Sequence, residues 1–102
     1  MTYSIYTTET FDKQTRKLNS SDKKILQKMF LQLKENPYVG DQIRYPFFRE
    51  KRLRKKRVYY LIYDDKLIVL MVSLGGKKAQ KETIDEIVKL LPEFKKYVEK
   101  LD

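Results

Sequence analysis

The stretch KRVYYLIYDDKLIVLMVSLGGKK, residues 56–78, decides how the rest of the chain is read. Two runs rich in β-branched and aromatic residues, RVYYLIY and LIVLMVSL, flank Asp64 and Asp65. Such runs suit a pleated, half-buried surface and the paired acids suit a turn, so the stretch predicts two strands joined as a hairpin. Alternation along RVYYLIY puts Arg57, Tyr59, Leu61 and Tyr63 on one face and Val58, Tyr60 and Ile62 on the other.

Upstream, the same pattern extends into a third strand, roughly Pro46 to Leu53, crowded with charge. Its facing stays open. Phe47 and Leu53 inward would put Arg52 and Arg54 in the cleft, whereas Phe48 inward would put Arg49 and Lys51 there. PYVGDQ before it reads as loop. The opening TYSIYT alternates as a short strand, and Thr8 can cap a helix carrying Phe11, Thr15 and Leu18. NSSD supplies a break and a second cap. Ile25, Leu26, Met29, Phe30 and Leu33 then mark one buried helix face that Asn36 and Pro37 end, so the two helices form an antiparallel hairpin.

Downstream of Gly76, Ile84, Ile87, Leu91, Phe94, Val98 and Leu101 form a heptad-like seam. Pro92 predicts a kink, or a second helix that starts there with the same face inward. The seam packs on the chain's own sheet or, alternatively, serves homodimer formation.

At 102 residues the chain is expected to form one domain, residues 1–102. No apolar run is long enough to span a bilayer and the opening lacks the pattern of a signal peptide, so a cytoplasmic protein without membrane association is expected. There is no cysteine and no histidine, which removes thiolate chemistry, the usual neutral-pH acid/base and the commonest metal ligand. No metal or cofactor is expected, and chemistry falls to Lys, Arg, Tyr, Asp and Glu. Charge is concentrated: Arg44 to Arg57 hold eight basic residues and one acid, Glu50, so +7 of the net +9 lies in 14 residues. Such density is the footprint of phosphate binding. Interleaved Phe and Tyr add faces on which bases stack.

Taken together, MTYSIYTTETFDKQTRKL, LQLKENPYVG and KRVYYLIYDDKLIVLMVSLGGKK resemble the RelE/ParE toxin superfamily, the toxin half of prokaryotic type II toxin–antitoxin pairs. The resemblance covers nearly the whole chain. It implies an α+β fold, β-α-α-β-β-β-α, in which a small twisted antiparallel sheet packs against an N-terminal helical hairpin and a long C-terminal helix follows. It also implies a basic concave face that engages messenger RNA on the ribosome, and an acidic antitoxin that occludes this face or displaces the C-terminal helix. In RelE-like members a ribose 2′-hydroxyl attacks the adjacent phosphate, which calls for a base, an acid and cations.

Position by position, the family's arginine at the start of the third strand falls on Arg57, in KRVYY, as the grip on the scissile phosphate. Its second-strand basic residues fall in REKR, making Lys51 and Arg52 candidates for general base or phosphate clamp. The basic residue after the last strand falls on Lys77 or Lys78. Arg49, Arg54, Lys55 and Lys56 extend the RNA-binding patch, and Tyr59 beside Arg57 can stack a base, share a proton, or simply cover the sheet with its hydroxyl in water. The family's terminal tyrosine or histidine has no counterpart, because Thr83 or Ile84 stands near its place. Two other classes stay open: a ParE-like inhibitor of gyrase, and a relative that binds RNA or antitoxin without turnover.

Overall fold

The structure, a computed structural model, describes residues 2–101. Strand β1, Ser4–Thr7, leads into helix α1, Glu9–Arg16, and helix α2, Ser20–Glu35. Both helix starts follow from capping. Thr8 Oγ1 accepts the Phe11 N–H at 3.0 Å and Asn19 Oδ1 accepts the Asp22 N–H at 2.8 Å, each satisfying a donor the first turn leaves free. Asn36 ends α2, and its side chain caps the short 3₁₀ turn Pro37–Val39.

Four antiparallel strands follow: β2, Asp41–Ile43; β3, Tyr45–Leu53; β4, Lys56–Tyr63; and β5, Ile68–Gly76. They lie in the order β1-β5-β4-β3-β2. The α+β class expected from the sequence holds, with two differences. The sheet is mixed, because β1 pairs parallel with β5, Ser4 opposite Ile68. The segment read as loop contributes β2, a three-residue edge whose pairing with β3 is broken by a bulge at Gln42/Ile43. DQI has no alternation to reveal it, and β3 supplies the ladder it joins.

The C-terminal segment is two helices, α3, Gln80–Lys89, and α4, Leu91–Glu99, with Pro92 in the first turn of α4, where its missing N–H costs nothing. This is the second-helix alternative. Phe11, Leu26, Met29 and Leu33 pack with Val58, Tyr60, Ile62 and Val69 on one face of the sheet. On the other, Ile87 and Val98 pack with Phe48, Tyr59, Leu61 and Leu70, joined by Ile84, Leu91, Phe94 and Leu101. The heptad-like seam is therefore used within the chain, and the homodimer expectation loses its free apolar stripe. Among the described residues no helix is long and apolar enough to cross a membrane.

Candidate functional site

Alternation along β3 is settled by its partners. Leu53 packs with α1 and α2, whereas Phe48 packs with α3 and α4. Glu50 and Arg52 therefore share the face of Phe48, and Arg49 and Lys51 share that of Leu53. The register sets Glu50 opposite Tyr59 and Arg52 opposite Arg57. The α3–α4 face consequently carries Arg52, Arg57 and, between them and the core, Glu50.

Arg57 Nη1 donates to Glu50 Oε1 at 2.9 Å, with side chains 16% and 10% exposed. Gln80 Nε2, from the first turn of α3, reaches Glu50 Oε2 at 3.5 Å. Gln80 also lines a cleft of about 430 Å³ with Arg44, Lys77, Lys78 and Lys81. Lys77 and Lys78 stand exposed on the 3₁₀ turn after β5. Arg44, held at φ 61°, turns its guanidinium onto Asp85, and that contact holds the Asp85 carboxyl below its ordinary value. Gln80 thus links the carboxylate–arginine pair to a cleft rimmed by four cations. Sequence reading treated Glu50 only as an interruption in the basic run; that single acid among eight bases was the available signal.

The other candidates lie elsewhere. Lys51, a candidate base, points to the opposite face, where its Nζ donates to Gln32 Oε1 on α2 at 2.7 Å. Arg49 donates to the carbonyls of Pro46 and Gly40 at 2.8 and 3.0 Å and lies over the Tyr38 ring, 5.0 Å from its centroid. Arg54 sits in the β3–β4 turn with φ 57° and binds Asp22 and Ser21 at the start of α2. Lys55 and Lys56 are exposed at that turn, Lys56 beside Lys13 and Lys17 of the α1 face. Tyr59 departs most from its sequence reading: it is fully buried beneath α3 and α4, so neither stacking on a base nor a hydroxyl in water describes it. Burial, then the nearby Glu50 charge, raises its pKa. Near the family's terminal tyrosine or histidine position, Thr83 Oγ1 lies over Gly75, the strand partner of Arg57, and Ile84 packs into the core.

No family model matches the sequence, and no curated protein sequence matches it. Solved structures do. A double arginine-to-alanine variant of the E. coli toxin RelE in the free state superposes with a TM-score of 0.74 at 29% identity, over 87% of this chain and 97% of that one. Its structural neighbours are RelE toxins, which supports the RelE-like toxin superfamily for this chain. The intact E. coli RelBE toxin–antitoxin complex matches this RelE-like chain at TM-score 0.66 and 27% identity, over 72% and 95% of the two chains. An archaeal RelE–RelB complex from Pyrococcus horikoshii shares the fold at TM-score 0.64 and 17% identity, over 76% and 97%. Nothing in these neighbours favours the ParE alternative.

Proposed function

We propose that this RelE-like chain is a ribosome-dependent mRNA interferase held in check by an antitoxin protein. The observation that carries the reading is the Glu50–Arg57 pair, linked through Gln80 to the cleft of Arg44, Lys77, Lys78 and Lys81. Such a pair suits transesterification. The Glu50 carboxylate accepts the proton of the ribose 2′-hydroxyl, the 2′-oxygen forms a bond to the adjacent phosphorus, and the bond from phosphorus to the 5′-oxygen breaks. As negative charge grows on the phosphoryl oxygens, the Arg57 guanidinium, already oriented by Glu50, binds them through two N–H groups. Lys78 protonates the departing 5′-oxygen, and Arg52 and Lys77 hold neighbouring phosphates. The products are a 2′,3′-cyclic phosphate and a free 5′-hydroxyl.

An antitoxin partner is supported by the neighbouring RelBE and archaeal RelE–RelB complexes, in which a chain of this fold is paired with an antitoxin. The four cations at the rim, Arg44, Lys77, Lys78 and Lys81, suit an acidic segment lying over the cleft. The lack of a titratable side chain at Thr83 or Ile84 favours a second reading, a relative that binds RNA or antitoxin without cutting.

The test is incubation with programmed ribosomes and mapping of the message ends. Cleavage in the ribosomal A site that leaves cyclic phosphate termini is expected. An intact message supports the binding-only reading, and loss of gyrase supercoiling activity with the message intact supports the ParE-like one.

A further inference from the structure

The residues of α3 divide its surroundings electrostatically. Lys81 lines the cationic cleft, whereas Glu82 and Glu86, one helical turn apart, line a different groove of about 560 Å³ between β5, the start of α1 and the α3–α4 pair. Neither glutamate has an ion-pair partner among the described residues, in a chain of net charge +9. Val72, Ile87 and Phe94 supply apolar lining.

A second observation lies in the same groove. Ser73, one of its lining residues, is 8% exposed, and its Oγ has no hydrogen-bond partner. The β5 bulge explains its facing: Tyr60 pairs with Met71 and Tyr59 with Ser73, so Val72 is the extra residue and Ser73 turns to the α3–α4 side beside Tyr59. A buried hydroxyl without a partner is unfavourable, and a ligand that hydrogen-bonds to it relieves that cost.

We infer that this groove is a docking site for a segment of a partner protein that presents an arginine or lysine flanked by apolar side chains. Two unpaired carboxylates attract the cationic head, the aliphatic stem and its neighbours meet the apolar lining, and Ser73 Oγ accepts one of the head's N–H donors. Charge complementarity argues against nucleic acid here, since phosphates meet Glu82 and Glu86 in repulsion. The volume falls in the range of about 300–1,000 Å³ typical of sites that enclose ligands. The site does not depend on the nuclease reading, because the residues it uses, Ser73, Glu82 and Glu86, line a groove other than the cationic cleft.

The experiment is an NMR titration of the full chain with the blocked tripeptide Leu-Arg-Leu, with Leu-Gln-Leu, Leu-Glu-Leu and guanosine monophosphate as comparison probes. Saturable shifts of the Ser73, Thr83 and Ile87 amides with the arginine peptide are expected. Binding should be about tenfold weaker for the glutamine peptide and for an E82Q/E86Q variant. Ser73→Ala should weaken binding less, and both variants leave the fold intact because the glutamates are exposed and alanine fits where serine stood. Equal binding of the arginine and glutamate peptides, no shifts at these amides, or guanosine monophosphate binding there instead would overturn the assignment. None of these outcomes touches the ribosome assay, so the two proposals fail separately.

Discussion

Arg57 Nη1 meets Glu50 Oε1 at 2.9 Å on a diagonal of the β3–β4 ladder, because Glu50 stands directly opposite Tyr59 and Arg57 opposite Arg52. One acid thus orients one of two neighbouring arginines. If the pair is the catalytic one, Arg57→Ala lowers ribosome-dependent cleavage by about 10²-fold or more, with a small change in RNA affinity. Arg57→Lys restores little of it, since an ammonium lacks the two-pronged geometry. Glu50→Gln keeps the shape and removes the proton acceptor, so cleavage falls by about 10²-fold while RNA binding holds or tightens. Single-turnover rates and filter-binding affinities, measured on the same preparations, separate the two effects; equal rates for wild type and Glu50→Gln would exclude Glu50 as base.

The basic run does not act as one patch. Lys77 and Lys78 line the cleft and Arg52 stands opposite Arg57, whereas Lys51, Arg49 and Arg54 are engaged by Gln32, backbone carbonyls and Asp22 on the other side or at the turn. Serine at Arg52, Lys77 and Lys78 together should flatten the dependence of log affinity on log salt by nearly one unit per lost phosphate contact. Serine at Lys51 alone should leave the slope unchanged. A slope indifferent to the first set would place the RNA elsewhere on the surface.

Tyr59→Phe removes a buried hydroxyl that has no partner. Nothing stabilising is lost with it, so thermal stability should hold or rise by up to about 1 kcal/mol, and cleavage should be unaffected. A loss of activity without a loss of stability would show that the hydroxyl takes part in proton transfer after α3 and α4 shift.

Gly40 is required by space and not by backbone angle. A Cβ there would lie 2.3 Å from the Tyr60 hydroxyl and 2.7 Å from the Glu50 carbonyl oxygen. That hydroxyl donates to the Pro37 carbonyl at 2.6 Å and accepts the Gly40 N–H at 3.1 Å, tying the 3₁₀ turn to the sheet. Gly40→Ala should therefore cost about 1–3 kcal/mol, read as a lower urea midpoint with an unchanged slope.

Burial pushes Tyr60 and Tyr63 up to about 12, and burial together with the Asp64 hydrogen bond does the same for Tyr38, against an ordinary value of 10.0. A raised folded-state value means that the fold favours the neutral phenol. Its stabilisation is fully present below pH 10 and disappears as pH climbs from about 10 to 12. Urea unfolding followed across that window, beside tyrosinate absorbance, should show stability falling as these groups ionise. Asp64→Asn should lower the Tyr38 value and leave those of Tyr60 and Tyr63 in place.

The elements were legible where local chemistry decides them. Thr8 as a cap, a second cap within NSSD, the apolar stripe of α2, the alternation of RVYYLIY and the second-helix alternative at Pro92 each act within a few residues, and each appears in the structure. Fold class and superfamily followed from their order. Pairings between distant segments were misread or left open: β1 runs parallel to β5 where an antiparallel sheet was expected, a polar tripeptide read within a loop is recruited as β2, and the face that each residue of β3 presents was undecided. Period-two alternation is symmetric under exchange of the two faces. Only contact with α2 on one side and α3 on the other breaks that symmetry, and it decides that Glu50, not Lys51, stands beside Arg57.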